Sequence, residues 1–243
     1  MTLVLLPAAV CVAAAAVVGG VTGFAASLLA TPALLLLGFG VSEVVVVNLT
    51  ATLITRVAAL WALREDVDWR AVGLLACGGL PGAVAGAATA VYVDHGVLTV
   101  VAGVAVVVAG LHMLLRRHSE GRRNTGPAPF VVVGSIGGYL ATTISLNGPP
   151  VAILLSGTRR TPTQYIADFA GYFVAVNTIS LGILVAGGRF EWSLLWPVLP
   201  VLVCAAIVGN RIGMRLHHHV PAAAFRSLVA GLVIVAGIAT IMV

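Results

Sequence analysis

Long apolar runs recur along this chain with only short polar turns between them, and that pattern sets what it can fold into. The runs lie at about 3–22, 24–38, 44–62, 71–91, 97–115, 130–145, 149–157, 165–187, 192–210 and 222–242. A helix needs roughly 17–25 apolar residues to cross the hydrocarbon core of a bilayer. Uninterrupted spans are expected at 44–62, 71–91, 97–115, 165–187, 192–210 and 222–242. The runs 24–38, 130–145 and 149–157 are short and broken by Gly and Pro. Only 9% of the residues are charged and 60% are hydrophobic, whereas a soluble domain carries about 25% charge. A water-facing surface cannot be made from so few charges, so the bilayer must serve as solvent and the fold class is all-α. The chain is apolar from Leu3 with no basic stretch before it, and stays so to about Gly38. That reads as membrane segments, not a cleaved signal peptide.

The one long polar stretch, Arg116–Pro129, splits the chain into halves at 1–115 and 130–243, with 116–129 as linker. Gly82, Gly86 and Gly110 have counterparts at Gly209, Gly213 and Gly237, each offset by 127 residues. Each half opens on a glycine-rich segment followed by a break ending in proline: Gly20–Gly23 to Pro32, and Gly134–Gly138 to Pro150. A span with one asparagine follows, Asn48 or Asn177. All 13 basic residues are arginine, and in membrane proteins their placement sets orientation. With the linker in the cytoplasm, Arg64, Arg70, Arg159, Arg160, Arg211, Arg215 and Arg226 also fall inside, Arg189 alone falls outside, and both termini are outside. The 71–91 and 97–115 spans then run opposite to 192–210 and 222–242. The expectation is two inverted-topology repeats, each a broken or re-entrant helical hairpin plus three transmembrane helices. In secondary transporters such breaks mark the binding site.

The sharpest local signal is Ser145-Leu146-Asn147-Gly148-Pro149-Pro150. Proline suits the first position of a helix, Asn147 suits a cap, and Gly148 permits an unusual turn. Thr31-Pro32 reads as the matching start in the first half, Thr31 as cap and Pro32 as first residue. Half-helix starts expose unpaired N–H groups and about half a positive charge, which makes an anion site without a charged side chain. Ser27, Thr31, Ser145 and Asn147 can add hydrogen-bond donors, and Gly23, Gly137 and Gly138 can bring backbone close to a ligand. The bland alternative is a pair of kinked, closely packed helices. Asn48 and Asn177 either line the pathway or glue helices together, and Thr50, Thr52 and Thr178 share those spans. Arg56 either binds the anion or snorkels to the inner face. Asp168 either lies at the inner interface or carries a coupling proton.

Other chemistry is poorly supported. His217, His218 and His219 are consecutive, so on a helix they do not face one way, and they read as a cytoplasmic loop, not a metal site. Cys11, Cys77 and Cys204 lie in apolar runs without CxxC spacing and read as buried small hydrophobes. There is no GxSxG, HExxH or P-loop pattern. No metal, cofactor or nucleic-acid partner is expected, and no enzyme activity. The bilayer, a small anion and a second copy of the chain, through Ala- and Gly-rich faces, are the expected partners.

Gly20-Val21-Thr22-Gly23-Phe24 with Pro32 and Gly38, and Gly134-Ser135-Ile136-Gly137-Gly138 with Asn147-Gly148-Pro149-Pro150, resemble the paired stretches of the TauE/SafE (sulfite exporter, TSUP-type anion permease) family. The resemblance covers nearly the whole chain. Phe24-Ala25-Ala26 stands where that family often has a further glycine cluster. The resemblance implies outward movement of small sulfur-containing anions, such as sulfite or organosulfonates, across the bacterial inner membrane. The combined expectation is an alternating-access carrier holding its anion at residues 23–32 and 137–150, beside Asn48, Asn177 and Arg56. A passive anion channel and an intramembrane enzyme with a re-entrant active site are the alternatives.

Overall fold

A computed structural model of the chain describes residues 2–90, 126–158, 160–188 and 196–217, with scattered positions within 92–111, at 190 and within 227–238. Among these, regular structure is helical throughout, apart from a 3-10 turn at Arg64–Asp66: α1 (Thr2–Thr22), α2 (Ala25–Leu36), α3 (Val41–Ala62), α4 (Trp69–Thr89), α5 (Pro127–Ile144), α6 (Gly148–Ser156), α7 (Pro162–Ala186) and α8 (Val198–His217). Six stretches are long and apolar enough to cross a membrane: Val4–Thr22, Val41–Ala62, Trp69–Thr89, Pro127–Ile144, Pro162–Ala186 and Val198–Leu216. The chain is a polytopic all-α membrane protein. Of the expected spans at 97–115 and 222–242 only scattered residues are described, and Arg159, Arg189, Arg226, His218, His219 and the linker arginines lie outside the described residues.

Several boundaries differ from the sequence expectation. The 130–145 run is one unbroken helix of spanning length, because its glycines are absorbed into helix packing. It begins at Pro127, inside the expected 116–129 linker, where proline at the first position has no N–H to lose. The last described helix continues to His217, so Arg211 and Arg215 ride on it and not on a loop. Arginine ends a hydropathy run but is a good helix former. Cys77 and Cys204 are exposed on the helix surface, where they would meet lipid, and Cys11 is half-buried.

The halves of the chain are interleaved. α1 packs along α8, and α4 packs along α5. Both crossings bring a glycine of one helix onto the backbone of the other. Gly82 and Gly86 of α4 abut the carbonyls of Ser135 and Tyr139, and Gly209 and Gly213 of α8 abut those of Ala13 and Val17. A Cβ at any of the four would lie inside van der Waals contact with main chain. The positions correspond: Ala13 and Val17 map to Ser135 and Tyr139 with an offset of 122 (135−13, 139−17), and the glycines map with 127 (209−82, 213−86). Such close approach supplies dispersion contact where lipid provides no hydrophobic drive between helices.

α3 and α7 pack on each other through the middle of the molecule. Around them lies a core that includes stacked Phe24 and Phe169, 5.3 Å between ring centres, with Phe173 and Tyr165 on either side of Phe169. At the surface near the α3–α4 connection, Arg160 pairs with Asp68 at 2.9 Å and with the fully buried Asp168. Asp168 also accepts a hydrogen bond from the Asp68 N–H at 2.7 Å, which ties α7 to the start of α4.

Candidate functional site

Two chain reversals meet at the centre. The first is at Gly23, whose φ of +88° is cheap only for glycine. It turns α1 back on itself so that Gly19 lies against Ala26. The helix after this break starts at Ala25, with Phe24 at its cap position. Thr31-Pro32 is therefore not a helix start, and Pro32 sits inside α2. Ser27 occupies the first turn instead.

The second reversal is at Ser145, which takes a left-handed conformation with φ 57° as the C-cap of α5. Asn147 does occupy the cap position of α6, but its side chain makes no capping bond. Gly148 is needed for space and not for an unusual turn: a Cβ there would be 3.1 Å from the Phe24 ring and 3.4 Å from Phe173. Phe24 and Gly148 are thus in contact, and the starts of the two half-helices adjoin.

A polar network surrounds this meeting point. The Asn48 amide of α3 donates to Thr31 Oγ1 at 2.9 Å and to Ser145 Oγ at 3.2 Å, and those two hydroxyls are 3.2 Å apart. Asn147 Nδ2 donates to Asn177 Oδ1 at 2.8 Å, and Asn177 Nδ2 reaches Leu49 O on α3 at 3.4 Å. Ser27, Thr31, Asn48, Ser145, Asn147 and Asn177 are each between 1% and 8% exposed. Six polar side chains packed inside an apolar bundle are costly unless they are satisfied. Ser27 Oγ has no partner at all. Neither does Ser180 Oγ, one turn beyond Asn177, a residue the sequence reading did not single out.

The other expected residues sit elsewhere. Gly138 presses on the Gly79 carbonyl, Gly137 faces the Tyr172 hydroxyl, and Gly23 faces Ile166 and Phe169. Protein fills the space these glycines were expected to leave for ligand. Pro149 and Pro150 delete two of the N–H groups that the first turn of α6 would otherwise offer. Donors there must come from Gly148 N–H and the side-chain amides. Arg56 does not snorkel: it is 1% exposed, and its Nη2 donates to Gly19 O and Asn210 Oδ1, both at 3.0 Å. Asp168 is nine residues from Asn177 on α7, about 13 Å along the helix. Thr178 is turned outward and bonded to its own helix.

The family model described as sulfite exporter TauE/SafE matches residues 8–240. The chain belongs to the TauE/SafE family. A curated relative, "Probable sulfite/organosulfonate exporter TauE" of Cupriavidus necator, is 25% identical over 183 residues, covering 72% of this chain and 71% of the relative. No solved structure gives a significant match. The stretches around Gly23 and around Asn147, which lie within the matched residues, fall on the two central reversals. Asn48 and Asn177 reach the same point from α3 and α7.

Proposed function

We propose that this protein is a secondary transporter that exports small sulfur-containing anions, of the sulfite or organosulfonate class, across the bacterial inner membrane. The observation that carries the reading is the junction of the two half-helix starts, Phe24 against Gly148, ringed by the Thr31–Asn48–Ser145 and Asn147–Asn177 bonds. Helix starts favour negative charge, the amides and hydroxyls supply donors, and the family and relative carry the name of sulfite export. Asn147 gives one N–H to Asn177 and retains a second for an anion.

The burial of the network corresponds to the occluded state of an alternating-access cycle. The matched contacts of α1 with α8 and α5 with α4 support two halves related by a two-fold axis, and the arginine distribution along the sequence supports an inverted relation with the linker cytoplasmic and both termini outside. No nucleotide-binding motif is present in the sequence, so the driving force is an ion gradient, the membrane potential or the anion's own gradient. A negative-inside potential favours anion export by about 2.3 kcal/mol per charge per 100 mV. An enzyme reading needs an activated nucleophile. Ser145 Oγ is bonded to Asn48 and Thr31, neither of which is a base.

The test is counterflow of radiolabelled sulfite, with a small sulfonate panel as competitors, in proteoliposomes of purified protein. Saturable exchange of one or more of these anions is expected. Flux that rises linearly with concentration would point to a channel. Absence of exchange in folded protein would overturn the sulfur-anion assignment.

A further inference from the structure

Arg56 is buried, and among the described residues no carboxylate lies within ion-pair reach of it. Both N–H groups of its Nη2 are taken by neutral oxygens, Gly19 O and Asn210 Oδ1. Its Nε and Nη1 have no partner. Three of the five guanidinium N–H groups are therefore unspent, and the charge is offset by no carboxylate, but in part by the C-terminal end of α1 that supplies Gly19 O. A cation held away from water without a counter-ion is strongly disfavoured.

The surroundings add to the imbalance. Gly19, which holds the guanidinium, packs on the first turn of α2: a Cβ at Gly19 would lie 2.8 Å from Ala26 N. The positive end of α2 is thus beside the same cation, and the unpartnered Ser27 Oγ belongs to that turn. Two positive features thus converge against the partial negative end of α1 at Gly19, with no carboxylate in reach among the described residues. Arg56 lies eight residues beyond Asn48 on α3, about 12 Å along the axis. Thr52 lies midway on the same helical face, itself buried.

We infer that Arg56, on the Gly19 side of the α2 start whose Phe24 faces Gly148, forms a second oxyanion-binding station, one step along α3 from the Asn48 cluster, with Asn210 positioning the guanidinium. Its ligand class is a small anion of one or two charges with oxygen acceptors, such as sulfite, a sulfonate head or nitrate. Neutral anchors suit such a station, because they fix the guanidinium without consuming its charge, and an incoming anion then has no internal carboxylate to displace. That the bound anion is transport cargo rests on the transporter reading; the station itself does not.

The experiment reads the rise in unfolding temperature of the purified, detergent-solubilised protein on adding sodium sulfite, methanesulfonate, nitrate or chloride. Wild type is expected to rise by several degrees with at least one of them. Arg56→Gln is expected to lose that rise. Asn210→Asp is the decisive variant, because it sets a carboxylate against Nη2. It is expected to raise the unfolding temperature without anion and to abolish the anion-induced rise. A merely structural arginine would keep the anion effect in Asn210→Asp. A full-sized rise in both variants overturns the second station and leaves the central-site reading standing. A rise with nitrate but not with sulfite or methanesulfonate, lost in Asn210→Asp, supports the station and overturns the sulfur-anion reading. No rise with any anion in wild type overturns both.

Discussion

Truncating Asn147 separates structural glue from a binding site. Its Nδ2 donates to Asn177 Oδ1 at 2.8 Å, with both residues 1% exposed. In Asn147→Ala that acceptor is stranded in an apolar interior. An unsatisfied buried acceptor costs about 1–3 kcal/mol, while interhelical polar contacts in membranes average about 0.6 and reach about 1.7 kcal/mol. The loss should therefore be about 1–2 kcal/mol, or a fall of roughly 3–6 °C in unfolding temperature for a chain of this size. Adding Asn177→Ala removes the stranded acceptor. Leu49 O then loses a weak 3.4 Å contact but sits within α3, where helical bonding serves it. The double variant should regain stability to within about 0.5 kcal/mol of wild type, since removing both partners is nearly neutral. Sulfite exchange in proteoliposomes should stay at least tenfold down in both variants. If the double variant recovers exchange along with stability, the pair is helix glue and the reasoning is refuted.

Other expectations follow from the same contacts. Gly82→Ala and Gly209→Ala each force a Cβ onto a neighbouring backbone carbonyl and should cost about 1–3 kcal/mol by overpacking, read as lowered unfolding temperature. Gly73→Ala, with open space around it, should be neutral or slightly stabilising. Arg160→Ala strips the buried Asp168 carboxylate of its ion-pair partner and should cost about 3–5 kcal/mol. Asp168→Asn should destabilise less and leave the pH profile of exchange unchanged; an altered profile would make Asp168 the coupling group. With native cysteines replaced, a cysteine at the exposed Glu65 position should react with an impermeant maleimide only from the cytoplasmic side.

The bundle was legible because apolar runs of spanning length allow little besides helices, and because proline and glycine punctuate it. Asn147 and Ser145 were legible as a break, since Asn-Gly-Pro-Pro cannot continue a helix. The first break was misjudged by position. Pro32 suited a helix start, but Gly23 reverses the chain nine residues earlier, and nothing local reveals the φ a glycine will adopt. Gly137 and Gly138 looked like room for a ligand because sequence does not tell whether a missing Cβ faces a cavity or a neighbouring carbonyl. Asn210 and Ser180 went unnoticed as single polar residues in apolar helices. Their meaning lies in what they face, Arg56 in one case and the Asn177 region in the other, and both are contacts between distant segments.

An anion is expected to bind where the two half-helix starts meet. Anomalous diffraction at the selenium edge from crystals grown with selenite, a heavy analogue of sulfite, tests it most directly. A selenium peak is expected within hydrogen-bonding distance of the Asn147 amide and the Gly148 N–H, bordered by Asn48 and Ser145, and absent in Asn147→Ala. Ordered selenium only elsewhere, with the junction of Phe24 and Gly148 empty, would contradict it.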